Sequence, residues 1–192
     1  MIKTDNFAKV DVVSAAQLRD WLETHHTQEA SIWLVTQKKH MGAGYVSVSE
    51  ILDEVICFGW IDGIRRKLDA DRTMQLLSPR KVQHWAKTYK DRAARLQTEG
   101  RMAPAGLAAI KTAQQNGLWS KMDDVDALIF PPDLMDALSG NAVANDNFAA
   151  ANASYKRNVL RWIKLAKTDE IRKKRVTTVI DIAFRNDRIP QM

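Results

Sequence analysis

The seven residues Cys57-Phe58-Gly59-Trp60-Ile61-Asp62-Gly63 force a change of secondary structure. Upstream, Ile51, Leu52, Val55, Ile56 and Phe58 recur at helical spacing behind a Ser47 or Ser49 cap. Gly59 stands where a helix takes a left-handed closing residue. Downstream, 61–68 and 72–77 read as strands joined by the turn Asp69-Ala70-Asp71, which predicts an antiparallel hairpin. Pro79 ends the second strand because it has no N–H to give a ladder. A two-stranded hairpin cannot bury its own faces, so a chain with this junction has to fold helices back over a small sheet.

The remaining segments agree. Ala15, Leu18, Trp21 and Leu22 mark a helix from Ser14 to about His25, and 31–38 is β-rich and reads as the first strand. From about Val82 the chain turns helical, with Trp85, Tyr89, Arg92, Ala93 and Leu96 spaced by three and four until Gly100. Pro104 opens the next helix and Gly117 closes it. Residues 119–130 read as an acidic loop, Pro131-Pro132-Asp133 starts a short helix, and 140–147 reads as a break. Two helices follow, 154–166 and one capped by Thr168. The fold class is α+β: a small, mostly antiparallel sheet of about three strands packed with helices, ending in a helical pair. The expected organisation is an α+β core over 1–140 and a C-terminal helical segment over 141–192, packed on or beside that core.

Charge is unevenly placed. Residues 61–101 hold 11 Lys/Arg against 5 Asp/Glu, and 152–192 hold 11 against 4. The remainder holds 7 against 14, giving a net charge of +6. Such blocks suit a polyanionic partner, or a basic segment that packs on the acidic stretch Asp123, Asp124, Asp126, Asp133 and Asp136. The intramolecular reading is preferred, and nucleic-acid binding is an alternative that is not favoured. No apolar run approaches the roughly 18 residues of a membrane span. Met1 to Asn6 lacks a basic segment leading into an apolar one, so a cytoplasmic location is expected. Cys57 lies in an apolar helical run and reads as a buried hydrophobe. His25, His26, His40 and His84 have no metal-ligand spacing, Gly42-Ala43-Gly44 is no phosphate loop, and no cofactor is expected.

The chain resembles the bacterial YdeI/OmpD-associated, or bacteriocin-protection, family. The resemblance rests on Phe58-Gly59-Trp60-Ile61-Asp62-Gly63, Arg65-Arg66, Ser78-Pro79-Arg80, Trp85 and the run Glu99-Gly100-Arg101-Met102-Ala103-Pro104-Ala105-Gly106. It extends upstream to Trp33-Leu34-Val35 with Lys38-Lys39. Downstream it reaches Phe148, Ser154-Tyr155, Trp162-Ile163, Ala166-Lys167 and Arg172. It implies a role in tolerance of cationic antimicrobial peptides and bacteriocins, within envelope stress, and carries over no catalytic residue. The pattern often has asparagine four residues after the helix-leading tryptophan, where this chain has Tyr89.

The residues themselves define a candidate ligand site: Trp60, Asp62, Arg65, Arg66, Arg80 and Trp85. Arginines would anchor an anion, Trp60 would form a wall, and Asp62 would accept from backbone or guanidinium donors. Along a regular strand, Arg65 and Arg66 face opposite ways, so at most one joins Asp62 unless a bulge intervenes. The balance of these readings is a non-enzymatic protein that binds a small anionic ligand or a protein partner. One alternative is an enzyme acting on a small anionic substrate, with Asp62 as acid or base. The other is weak polyanion binding through the basic C-terminal helices.

Overall fold

The computed structural model describes residues 6–189. The first five residues, which include most of the segment read for a leader, lie outside them. Contacts divide the chain into two compact units, Met1–Ser120 and Lys121–Met192.

The first unit is α+β, as expected. Its four strands are β1 (Ala8–Asp11), β2 (Ile32–Gln37), β3 (Trp60–Lys67) and β4 (Arg72–Pro79), ordered β1-β2-β4-β3. The sheet thus has four strands where about three were expected. The extra one, β1, has four residues, too few to show a period, and pairs parallel to β2 with Val10 beside Leu34. Helix α1 (Ala15–His25) makes the crossover that a parallel pair requires. The hairpin β3–β4 and the pair β2–β4 are antiparallel.

Helix α2 (Val48–Cys57) starts in a complete capping box. The Ser47 side chain accepts from Glu50 N, and the Glu50 carboxylate accepts from Ser47 N. Helices α3 (Lys87–Thr98) and α4 (Pro104–Gln115) follow the sheet. The four helices bury one sheet face: Leu18, Leu22, Ile51, Val55, Leu96 and Ile110 pack with Ile32, Leu34, Trp60 and Leu77. Helix α3 begins later than its periodicity suggested, and Trp85 precedes it. The reason is where the backbone donors go: Arg80 N donates to Gly59 O at 3.0 Å and Trp85 N to Leu118 O at 3.1 Å, so 80–86 runs as an irregular strap.

The junction at Gly59 is tight. Gly59 has φ +72°, and a Cβ there would stand 3.0 Å from the Ala109 Cβ and 3.1 Å from Ala105 O. Gly106 on α4 is closer still, since a Cβ would come within 2.2 Å of Cys57 O. That same carbonyl accepts from Ala103 N at 3.1 Å. Helix α4 therefore lies directly against the end of α2.

The second unit is helical: α5 (Asp123–Asp126), α6 (Pro132–Ser139), α7 (Ala142–Ala150), α8 (Ala153–Lys164) and α9 (Asp169–Phe184). Its core holds Met122, Leu134, Leu138, Phe148, Tyr155, Val159, Ile163, Val176 and Val179. The stretch 140–147, expected as a break, is mostly helix α7. Asn141 caps it by accepting from Ala144 N at 3.0 Å, and its small residues let α7 lie against α9, where Asn147 donates to Ala183 O. The 119–130 loop contains α5. No helix among the described residues is long and apolar enough to cross a membrane.

Alanine for glycine inside an exposed helix stabilises by about 1 kcal/mol. Gly106→Ala should do the reverse and cost about 1–3 kcal/mol, because the methyl meets the Cys57 carbonyl. Urea denaturation measures the sign, and a gain in stability would mean that α4 is not pressed against α2.

Candidate functional site

The β3–β4 register contains a bulge between Asp62 and Arg65: Asp62 pairs with Leu77 and Arg65 with Gln75. Cross-strand partners share a face, so the extra residue turns Arg65 to the same face as Trp60, Asp62, Gln75 and Leu77. Arg66 pairs with Met74 on the other face, and its guanidinium lies 5.3 Å from the Trp33 ring.

On the helix-covered face a chain of polar contacts runs from β4 to the strap. Gln75 Nε2 donates to Asp62 Oδ2 at 3.1 Å, and the Tyr89 hydroxyl donates to Asp62 Oδ1. Burial, then the adjacent carboxylate, pushes the Tyr89 phenol above its usual pKa, so it stays a donor. Arg80 follows, with its guanidinium carbon 5.1 Å from the Tyr89 ring and 4.1 Å from the Trp85 ring. Among the described residues its guanidinium makes one hydrogen bond, from Nη1 to His84 O at 3.2 Å. Burial pulls its pKa down to about 10, which leaves it charged at neutral pH.

This chain is incompletely satisfied. Among the described residues, five buried side-chain polar atoms lack a hydrogen-bond partner, and four of them are here: Gln75 Oε1, Arg80 Nε, Arg80 Nη2 and Trp85 Nε1. Folded proteins rarely leave such groups orphaned, and a cluster calls for an explanation. Beside it opens a cleft of about 100 Å³. Arg80, Gln83 and Trp85 line one side, and Ala109, Thr112 and Ala113 of α4 with its C-cap Asn116 line the other.

The structure therefore brings Asp62, Arg80 and Trp85 together through Tyr89, and only Arg80 and Trp85 of the expected residues line the cleft. Trp60 does not form a wall. It is 1% exposed, donates from Nε1 to His26 O at 3.0 Å and meets Trp21 edge-on. Arg65 lies further out along the strand and donates to Thr73 Oγ1. Arg66 is on the far face.

Residues 10–109 match the model of a domain of unknown function, DUF8412. Residues 127–186 match the model described as Bacteriocin-protection, YdeI or OmpD-Associated. The chain belongs to the DUF8412 family and carries a YdeI/OmpD-associated domain. The two matches divide the motifs that first suggested the resemblance. Those from Trp33 to Gly106 fall in the DUF8412 region, whereas Phe148, Tyr155, Trp162 and Arg172 fall in the YdeI/OmpD-associated domain. Comparisons with curated proteins and with solved structures give no match.

Within the second unit, basic helices do meet the acidic stretch. Lys164 Nζ contacts Asp124 Oδ1 at 2.5 Å, Arg172 holds Asp133 with two bonds of 2.7 and 2.8 Å, and Arg157 donates to Asp126 O. These pairs take up part of the positive charge that suggested a polyanion.

The DUF8412 region holds a second polar cluster that the sequence reading missed. Asp53 and Glu54 are buried on α2. Asp53 accepts from Arg92, from Arg95 at 2.6 Å and from Arg101 at 3.3 Å; Glu54 accepts from Arg19 at 3.0 Å and Arg101 at 2.6 Å. The cue was present: two carboxylates interrupt Ile51-Leu52 and Val55-Ile56, and buried carboxylates need partners. The cluster explains Arg101 in the Glu99-Gly100-Arg101 motif as the tie between α2 and the turn before α4.

Burial acts to raise the Asp53 pKa, but bonds and charge from Arg95 and Arg92 outweigh it, and the net shift is downward. A carboxylate held below its unfolded value of about 3.9 adds stability at neutral pH, which is lost as pH falls below about 4. Asp53→Asn should cost about 3–5 kcal/mol and flatten that acid limb. Arg95→Ala, at a side chain 44% exposed, should cost no more than about 1 kcal/mol. Chemical denaturation of both variants from pH 3 to 7 measures this, and equal losses would contradict it.

Proposed function

We propose that this chain is a non-enzymatic binder of a small anion, with Arg80 as the anchoring cation. One observation carries the reading: a buried guanidinium with two unpartnered nitrogens stands at the wall of an open cleft. An unpaired buried charge costs stability, and such a cost persists where the group has a job. The engagement of Asp62 favours binding over acid–base chemistry at this cleft. Both its oxygens accept from protein donors, and it does not line the cleft. Among the lining residues the titratable groups are the two cations Arg80 and Lys81, which suit the anchoring of an anion.

The match to a domain described as Bacteriocin-protection, YdeI or OmpD-Associated supports a role for this binding in bacteriocin tolerance. We extend that role to antimicrobial peptides, as a cytoplasmic response to envelope stress. On that reading the ligand is the signal and the second unit the part that engages a protein partner.

The reading separates from a purely structural role for Arg80 by the sign of one substitution. Arg80→Met keeps the apolar stem and removes the buried charge. Without ligand it should leave the melting temperature of the full chain unchanged or raise it by a few degrees. In a thermal-shift screen of small carboxylates, phosphate and sulfate, an anion at about a hundredfold its Kd should raise the wild-type value by roughly 5–10 °C. Arg80→Met should abolish that shift. A fall of several degrees in the unliganded variant, or a shift that survives it, would refute the proposal.

A further inference from the structure

The cleft's chemistry selects among anions, and this inference rests on the anion-binding reading above. We infer that the ligand is a small monocarboxylate with a short apolar tail, rather than a phosphate or sulfate. Three features of the site point there.

The first is the arrangement of the orphaned donors. Nε and Nη2 occupy one edge of the guanidinium, and their spacing matches the two oxygens of a carboxylate in a side-on, two-bond pair. Trp85 Nε1 adds a third buried donor. A carboxylate has about four lone-pair sites and no proton to place, so it suits a site that offers donors alone. The Trp85 ring backs the guanidinium, whose carbon lies 4.1 Å from the ring centroid.

The second is charge. The described lining holds two cations, Arg80 and Lys81, and Lys81 is exposed on the rim with Glu29 3.6 Å away. Opposite them, Ala109, Thr112, Ala113 and Asn116 come from the last turns of α4 and its C-cap. A helix C-terminus carries partial negative charge. That end repels a second negative charge, which a phosphate brings at neutral pH and a monocarboxylate does not.

The third is shape. About 100 Å³ is well below the roughly 300–1,000 Å³ of pockets for drug-sized ligands. Ala109, Ala113 and Leu118 give its inner wall an apolar patch sized for a few carbons, beside the neutral polar groups of Gln83, Thr112 and Asn116.

The orphaned nitrogens are covered as the cleft stands. Gln83 and Lys81 line the opening from the strap, where Val82 is 78% exposed and Lys81 N is tied to the Gln83 side chain at 2.8 Å. Binding therefore includes a shift of this strap, and apparent affinity is lowered by the fraction of molecules in which it is closed.

Isothermal titration of the full chain with propionate, and separately with inorganic phosphate, tests the class. Propionate should bind at least tenfold more tightly than phosphate. Trp85→Phe, which keeps the ring and removes the N–H, should weaken propionate by about tenfold. Arg80→Met should abolish binding, with circular dichroism confirming that both variants fold. Phosphate binding as tightly as propionate, and lost in Arg80→Met, would overturn the monocarboxylate assignment while sustaining the anion site. Propionate binding undiminished by either substitution would overturn both. No heat from either anion, with the cleft holding only water, would also overturn both.

Discussion

Everything in the DUF8412 region depends on how tightly the chain turns at Cys57-Phe58-Gly59. The Cys57 carbonyl receives Ala103 N and tolerates no side chain at position 106, so α4 is seated against the end of α2. Two residues on, the Gly59 carbonyl receives Arg80 N and fixes the point where β4 leaves the sheet. One turn thereby sets both walls of the cleft, with α4 on one side and the strap carrying Arg80 and Trp85 on the other. The left-handed φ of Gly59 is what allows a helix to end and a strand to begin within so short a distance.

The two polar clusters of this region differ in their accounting. Around Asp53 and Glu54, buried charges meet geometrically matched arginines, and the result ties α1, α2 and α3 to the turn before α4. Around Arg80 the guanidinium has two ring faces and one carbonyl, while its nearest carboxylate, Asp62, is committed to Tyr89 and Gln75. The same residue type is fully paired in one place and, beyond the attraction of Asp62, short of hydrogen-bond partners in the other. Rings offset part of the cost of burying Arg80, about 0.5–2 kcal/mol each, but they do not replace hydrogen bonds to two N–H groups.

Much of this was legible in the sequence. The Ser47 cap, the Gly59 stop, the Asp69-Ala70-Asp71 turn and the Pro79 end are local signals, and the structure has all of them. Strand β1 was not legible, because four residues show no period. Helix α3 was started early because Trp85 lies in phase with Tyr89 and Ala93, while its backbone N–H is committed to Leu118, a partner no local pattern can show. Of the candidate residues, Asp62, Arg80 and Trp85 come together, linked through Tyr89. Trp60 was misleading because a tryptophan beside a carboxylate reads equally as wall or core. Tyr89 stood out as a departure from the family pattern, and its hydroxyl proves to hold Asp62. Gln75 carried no signal at all, since only the strand register brings it to Asp62.

Anion anchoring by Arg80, as proposed, has a direct spectroscopic readout. The most direct measurement is the side-chain Nε–Hε resonance of Arg80 in full-length protein labelled with ¹⁵N-arginine, assigned by its absence in Arg80→Met and followed through a propionate titration. On anion binding this resonance should move downfield and saturate, by more than any other arginine Nε–Hε in the chain. An Arg80 resonance that stays fixed at saturating propionate, or that moves no more than those of exposed arginines such as Arg65, would contradict it.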